Sequence, residues 1–404
     1  MSDEIGLYGL PVKVRFCRRC TMNNQRPSST VEFRNRPGEQ KRPIHFDHQG
    51  VCEACRFAEK KKTIDWESRE GKLQLLCDRF RRDDGRYDVI VPGSGGKDSA
   101  MAAHILKHRY GMHPILVTWP PQIYTRVGRR NFESWLNAGF PNFTYWPNQH
   151  VHRLLTRFAF ENLVHPFQPF IIGQKNLAPK LSVMLDVPLV IFGENEAEYG
   201  NPLKDNEAPT RDPSYYSMEN RLDEIYLGGV AARDLIRDHH LTLADLEPYL
   251  PVDPYRLERV KTEVHYLGYY LRWHPLETYY YAVEHTDFLP NDFRTEGSYS
   301  KYSSIDDKID WLHYYTAYIK FGIGRATYDS AQEIRNGDIT RDEGIRLVRR
   351  FDGEFPEMYL ADCLKYMGIS RERFNEVIDR ARPPHLWENR NGEWVLRHRI
   401  WEEG

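Results

Sequence analysis

Between residues 87 and 192, short apolar runs alternate with longer stretches in which apolar residues recur at helical spacing. Tyr87 to Val91 reads as a strand and Ser99 to Arg109 as a helix, followed by a second strand from Pro114 to Trp119. Asn131 to Ala138 reads as a short helix and Phe143 to Trp146 as a third strand. Val151 to Leu163 and Leu177 to Leu185 read as helices, and Pro188 to Phe192 as a fourth strand. This alternation predicts a parallel sheet wrapped by helices, with ligands at the carboxyl ends of the strands.

The pattern loosens on either side. Asp65 to Arg82 is a charged helical stretch, and Asn201 to Ser217 is polar, with three prolines, and reads as an insertion or mobile cover. Arg221 to Val260 holds one or two helices, including Ala231 to Asp238 and Thr242 to Tyr249. The aromatic stretch Val264 to Arg272 is a candidate last strand, and from Asp306 onward the chain reads as mainly helical and charged. Three regions follow: 1–66, an α/β domain over 67–290 with an insertion near 201–260, and a helical region over 291–404.

The first strand runs into Gly93-Ser94-Gly95-Gly96-Lys97-Asp98-Ser99 and then a helix. Glycines let successive amides converge on phosphate oxygens, and the helix N-terminus favours an anion there. Lys97 adds a mobile charge, and Ser94 and Ser99 add hydroxyls. Asp98 stands between the lysine and the hydroxyl residue, so this is not a Walker A loop. An acid in a phosphate cradle suits a bridging cation, which makes Asp98 a candidate for orienting Mg²⁺ on ATP. The competing reading is an ordinary Gly-rich turn.

Cys17-Arg-Arg-Cys20 and Cys52-Glu-Ala-Cys55 form two knuckles separated by 31 residues. Four thiolates suit a closed, tetrahedral, structural Zn²⁺ site, and the turn-rich spacer suits a ribbon that folds around its metal. Two disulfides are the alternative, but no signal peptide is evident and Cys77 and Cys363 stand alone, so a reducing, cytoplasmic setting is expected. His45 and His48 lie in the spacer as reserve ligands.

Charge and hydropathy narrow the class. No apolar run reaches membrane-spanning length, so a soluble protein is expected. A formal net charge of −2 speaks against a general nucleic-acid binder. The basic clusters Lys60 to Lys62 and Arg79 to Arg82 read as solvated faces.

Ser94-Gly-Gly-Lys-Asp-Ser99 after an apolar strand resembles the PP-loop of the N-type ATP pyrophosphatases (adenine nucleotide alpha hydrolase-like). Their members adenylate a substrate oxygen, release pyrophosphate, and let a nucleophile displace AMP. The finger, the loop, Phe192-Gly-Glu-Asn-Glu-Ala-Glu-Tyr-Gly200, Lys320-Phe-Gly-Ile-Gly-Arg-Ala-Thr327 and Glu333 to Gly344 together resemble the N-acetyl sugar amidotransferases of bacterial surface-polysaccharide biosynthesis, over about residues 10 to 375.

The resemblance implies conversion of the N-acetyl group of a nucleotide-linked sugar acid into an acetamidino group, in lipopolysaccharide O-antigen or a related glycan. Ammonia would come from a separate glutaminase subunit through a synthase-like partner, with no membrane or nucleic acid involved. Lys97, Asp98 and Glu194 are the catalytic candidates, Glu194 to hold metal, position substrate or take a proton. Lys320 and Arg325, in a Gly-x-Gly setting, suit phosphate or a sugar carboxylate, or else a surface salt bridge. Asn195, Glu198 and Tyr199 are candidate sugar contacts. Cys77 and Cys363 read as buried thiols, leaving no nucleophile for a built-in glutaminase. A tRNA-thiolating PP-loop enzyme is the rival, although it ordinarily needs more cysteines and a basic surface.

Overall fold

The computed structural model describes residues 4–195, 198, 208–219 and 221–402. The N-terminal region is irregular backbone pinned by isolated bridges, such as Phe16 with Asn23 and Phe46 with Cys52, followed by α1 (Glu53–Lys61) and α2 (Trp66–Phe80). Asp65 caps α2 by accepting from the Ser68 amide, which fixes where the charged stretch becomes helical. The core then alternates β1 (Val89–Pro92), α3 (Lys97–His108), β2 (Pro114–Thr118), α4 (Arg126–Asn137) and β3 (Asn142–Thr144). It continues through α5 (Gln149–Leu163), α6 (Gln168–Leu185) and β4 (Leu189–Phe192).

A small hairpin of β5 (Tyr226–Leu227) and β6 (Val230–Ala231), then α7 (Ala232–His239), α8 (Leu243–Leu246) and α9 (Pro254–Val260), lead to β7 (Glu263–Tyr266). The chain leaves the sheet through α10 (Leu267–Tyr270) and α11 (Pro275–Thr286). The C-terminal region packs α12 (Lys308–Phe321), α13 (Arg325–Asn336), α14 (Arg341–Phe351), α15 (Glu357–Met367) and α16 (Arg371–Arg380). It ends in a hairpin of β8 (Trp387–Arg390) and β9 (Glu393–Leu396), within a stretch whose sequence reads as mainly helical. No helix among the described residues is long and apolar enough to cross a membrane.

The central sheet is wholly parallel, in the order β3-β2-β1-β4-β7. β1, β2 and β4 are buried along their whole length, which explains their continuous apolar runs. Alternate side chains serve opposite layers. Ile90 and Val190 pack towards α5 and α6, with Leu155, Phe170 and Leu177. Val89, Val91 and Ile191 pack towards α2, α3 and α11, with Leu73, Ala103 and Ala282.

Several boundaries differ from the sequence pattern for identifiable reasons. α4 starts at Arg126, because Thr125 accepts from the Gly128 amide and caps the helix there. α6 runs through Pro179 from Gln168, its buried stripe of Phe170, Ile172 and Leu177 overriding the break. The strand expected over Val264 to Arg272 stops at Tyr266, and the aromatic run turns back so that Tyr270 Oη lies 2.7 Å from His265 Nδ1. Lys61 is not on a solvated face: it is buried and paired with Glu198 at 2.5 Å. Of the segment read as a cover, Asn201 to Ser217, residues 201–207 lie outside the described residues.

Candidate active-site cavity

Chain order along the sheet reverses at β1: β2 and β3 extend it to one side, β4 and β7 to the other. In open α/β sheets ligands bind in the crevice at such a switch point, beyond the strand carboxyl ends. Gly93 to Ser99 leaves β1 there, and Gly193 and Glu194 leave β4 beside it. A Cβ at Gly193 would lie 2.4 Å from the Asp98 carbonyl oxygen, so glycine lets the two turns touch. Gly95, at φ +89°, packs against the backbone of Asn131 and Phe132. At Gly96 an added Cβ would meet nothing within 4 Å. No side chain caps the start of α3. The turn is thus open towards solvent with its first helical amides available, a geometry that fits a phosphate.

Neighbouring side chains hold the turn. Lys97 Nζ is 2.6 Å from Asp98 Oδ2, while the Trp273 indole donates to Asp98 Oδ1 at 2.8 Å. Both carboxylate oxygens are engaged, which fixes the carboxylate's direction. Ser94 Oγ donates to Asp306 Oδ2 at 2.8 Å, and Ser99 Oγ donates to the Gly96 carbonyl at 3.0 Å.

The turn opens into a cavity of about 570 Å³, within the range of small-molecule sites. Its walls come from all three parts of the chain: residues 26–41, the core elements α3 and α6, and α12 and α13. A smaller cavity of about 160 Å³ adjoins it, and Arg26, Ser29, Gln174, Lys175 and Glu194 line both.

Acids cluster on the C-terminal wall. Burial raises the Asp306 carboxyl and pushes Asp310 up to about 6 against the pull of Arg325. Arg325 pairs with Asp329 at 3.0 Å. Lys320 donates to the Leu163 carbonyl at 2.8 Å, and its burial depresses the ammonium to about 7. Lys320 and Arg325 both line the cavity. The Gly-x-Gly between them is a helix corner, with Gly322 at φ +63° ending α12 and Asp352 accepting from the Gly324 amide.

Glu333 gives the first prediction. Burial pushes its carboxyl up to about 7, against the Tyr299 hydroxyl that donates to it at 2.6 Å; Asp329 and Asp338 add to the rise. Folding therefore takes up a proton between the ordinary value of 4.5 and about 7, so stability falls as pH rises through that window. Glu333→Gln keeps an acceptor for Tyr299 without the charge. Its stability should exceed that of the wild type at pH 8 by on the order of 1 kcal/mol once partial exposure is allowed for, seen as a higher Tm. The two melting temperatures should converge near pH 5; a pH-independent gap would exonerate the carboxylate.

Asn195 and Glu198 fall outside the lining. Asn195 is buried with its Nδ2 3.5 Å from the Gly268 carbonyl. Glu198 is buried against Lys61, which also donates to the Trp273 carbonyl, so this pair steadies the residue that orients Asp98. Tyr199 lies outside the described residues. Trp273, Asp306, Asp310, Arg26 and Lys175 are cavity residues that no sequence motif marks.

The four cysteines come together as one buried cluster, their sulfurs within 4.8 Å of one another, with no disulfide. Cys17–Cys55 and Cys20–Cys52 are each 3.8 Å apart, which matches the ~3.8 Å edge of a tetrahedron with Zn–S bonds near 2.3 Å. The amides of Arg19 and Cys52 point at Cys17 Sγ, both at 3.4 Å, as suits a thiolate. This donor set fits Zn²⁺ and leaves it no open position. Cys77 and Cys363 are buried, and burial pushes the Cys77 thiol up to about 12 and raises Cys363 as well.

Comparison with known proteins bears on the C-terminal wall. A 77-residue stretch is 26% identical to an uncharacterized protein of Methanocaldococcus jannaschii, covering 19% of this chain and 27% of that protein. The match thus spans about a quarter of that relative. Residues 296–400 match the family model described as "LPS biosynthesis protein WbpG-like, C-terminal domain", which supports a role in lipopolysaccharide biosynthesis.

Proposed function

We propose that this chain is an ATP-dependent amidotransferase of the PP-loop type, acting on a nucleotide-linked sugar acid in lipopolysaccharide or related surface-glycan biosynthesis. The observation that carries the reading is the shared cavity: the open, uncapped turn at the β1/β4 switch point faces α12 and α13 of the region matched by the lipopolysaccharide family. An amide carbonyl is a poor electrophile, so its oxygen is first made a leaving group. The N-acetyl oxygen attacks the α-phosphorus of ATP, and the bond to the β-phosphate breaks to release pyrophosphate. Ammonia then adds to the imidate carbon, the C–O bond breaks with loss of AMP, and a proton departs, leaving an acetamidino group.

Each residue has a task within that scheme. Lys97 and the first amides of α3 stabilise the charge that develops on the leaving pyrophosphate. Asp98, aimed by Trp273, would hold Mg²⁺, which would neutralise charge on the phosphates. Glu194, at the junction of the two cavities, positions the acceptor or takes the proton from ammonia. The two thiols outside the cluster are buried with raised pKa, so neither serves as a glutaminase nucleophile. Ammonia is then either free or delivered, and the family resemblance implies delivery by a separate glutaminase subunit with a synthase-like partner.

The test is AMP and pyrophosphate release from ATP, Mg²⁺ and ammonium chloride against UDP- and CMP-linked diacetamido sugar acids. Stoichiometric pyrophosphate with a sugar mass shift equal to exchange of O for NH is expected. Turnover only with unmodified tRNA and a sulfur donor would replace the reading with tRNA thiolation.

A further inference from the structure

The loop accounts for one anion, yet the cavity holds a second group built to receive one. Arg26 and Ser28 are each only 8% exposed. Among the described residues, Arg26 Nε and Nη1 and Ser28 Oγ have no hydrogen-bond partner. Both residues line the large cavity, and Arg26 also lines the small one. Their backbone is fixed: the Ile44 amide donates to the Arg26 carbonyl at 2.9 Å, and the Ser28 amide to the Arg42 carbonyl at 2.7 Å. The guanidinium lies 5.6 Å from the Tyr328 ring centroid, so α13 backs it with an aromatic face.

A guanidinium cannot shed its charge to escape burial, and leaving it unpaired is costly. The group that relieves this cost is an oxyanion, which the guanidinium fork and a hydroxyl bind well. Lys41 and Lys175 stand on the same lining, with Glu32 between their charges. The N-terminal region carries Arg26, whereas the phosphate cradle lies at the sheet.

We propose that Arg26, assisted by Ser28, binds the oxyanion of the second substrate, its carboxylate or its phosphate, and not a phosphate of ATP. This rests on the two-substrate reading above and adds the residue that selects an anionic acceptor.

The test uses full-length wild type and Arg26→Ala, melted with UDP-glucuronate, UDP-glucose or CMP-N-acetylneuraminate, alongside acceptor and ATP kinetics. Arg26→Ala loses no side-chain hydrogen bond, only its contact with the Tyr328 ring, so its unliganded Tm should fall little, while the ligand-induced rise should vanish. Acceptor KM should increase at least about tenfold with kcat nearly unchanged, and Arg26→Lys should recover part of it. Loss of response to both sugar acids but not UDP-glucose assigns the carboxylate. Loss for both UDP ligands but not the CMP ligand assigns the diphosphate. Equal shifts in both proteins, no shift in the wild type, or an effect confined to ATP would overturn the assignment. Sugar binding that depends on Arg26 without pyrophosphate release would instead reject the amidotransferase reading and keep the anion site.

Discussion

Lys97→Ala is expected to slow pyrophosphate release by about two to three orders of magnitude, the usual loss when one preorganised donor is removed from a developing charge. Lys97 sits beside the open start of α3, and its Nζ is held 2.6 Å from Asp98 Oδ2. Removing it deletes a cation at the phosphates and also leaves Asp98 with only Trp273 as a partner from this pair of contacts. Single-turnover AMP formation is the readout, because it separates chemistry from product release. Gly96→Ala serves as the companion variant. Its backbone, at φ −69° and ψ 158°, accepts alanine, and nothing lies within 4 Å of the added carbon, so Tm should hold. A bound phosphate would meet that carbon, so KM for ATP should rise. If Lys97→Ala turned over within about threefold of wild type, less than 1 kcal/mol would be at stake and the loop would not be a phosphate site.

What the sequence disclosed about this site was local. The β1–α3 turn is legible because its glycines, the strand before it and the helix after it are contiguous, and each carries its own backbone requirement. The cysteine cluster is legible because metal ligands obey short spacings. The opposite wall is not. Trp273 reaches Asp98 across 175 positions and Asp306 reaches Ser94 across 212, and neither residue sits in a distinctive local pattern. Near Lys320 and Arg325, which the sequence suited to phosphate or a sugar carboxylate, the Gly-x-Gly itself is a helix corner: one glycine ends a helix and the other donates its amide to the Asp352 carboxylate. Arg26 and Ser28 were invisible for a different reason, since a missing hydrogen-bond partner is a property of the folded cavity alone.

Loss of a Zn²⁺ held by the four cysteines should have the widest consequence, because they are built into the cavity's foundations. Cys17, Cys20, Cys52 and Cys55 share one apolar cluster with Ala317 and Phe321 of α12 and Ala331 of α13. Between Cys20 and α13, Thr21 Oγ1 donates to the Thr327 carbonyl at 3.2 Å and lies 2.9 Å from Ser330 Oγ. Arg341 at the start of α14 donates to the Cys17 carbonyl at 3.3 Å. Four buried sulfurs this close cannot all ionise without a cation between them, and structural Zn²⁺ contributes on the order of 10 kcal/mol to the regions it folds. Cys20→Ser should therefore lose Zn²⁺ measured by elemental analysis, expose residues 10–60 to protease, and loosen the wall that carries Arg26 and Lys41. Activity should fall to background even with free ammonium, because the cavity itself is damaged and not merely the supply of ammonia. Cys77→Ser and Cys363→Ser, which sit outside the cluster, should keep their metal. A Cys20→Ser protein that retained wild-type Tm, protease resistance and turnover without zinc would show that packing against α12 and α13 holds this region by itself.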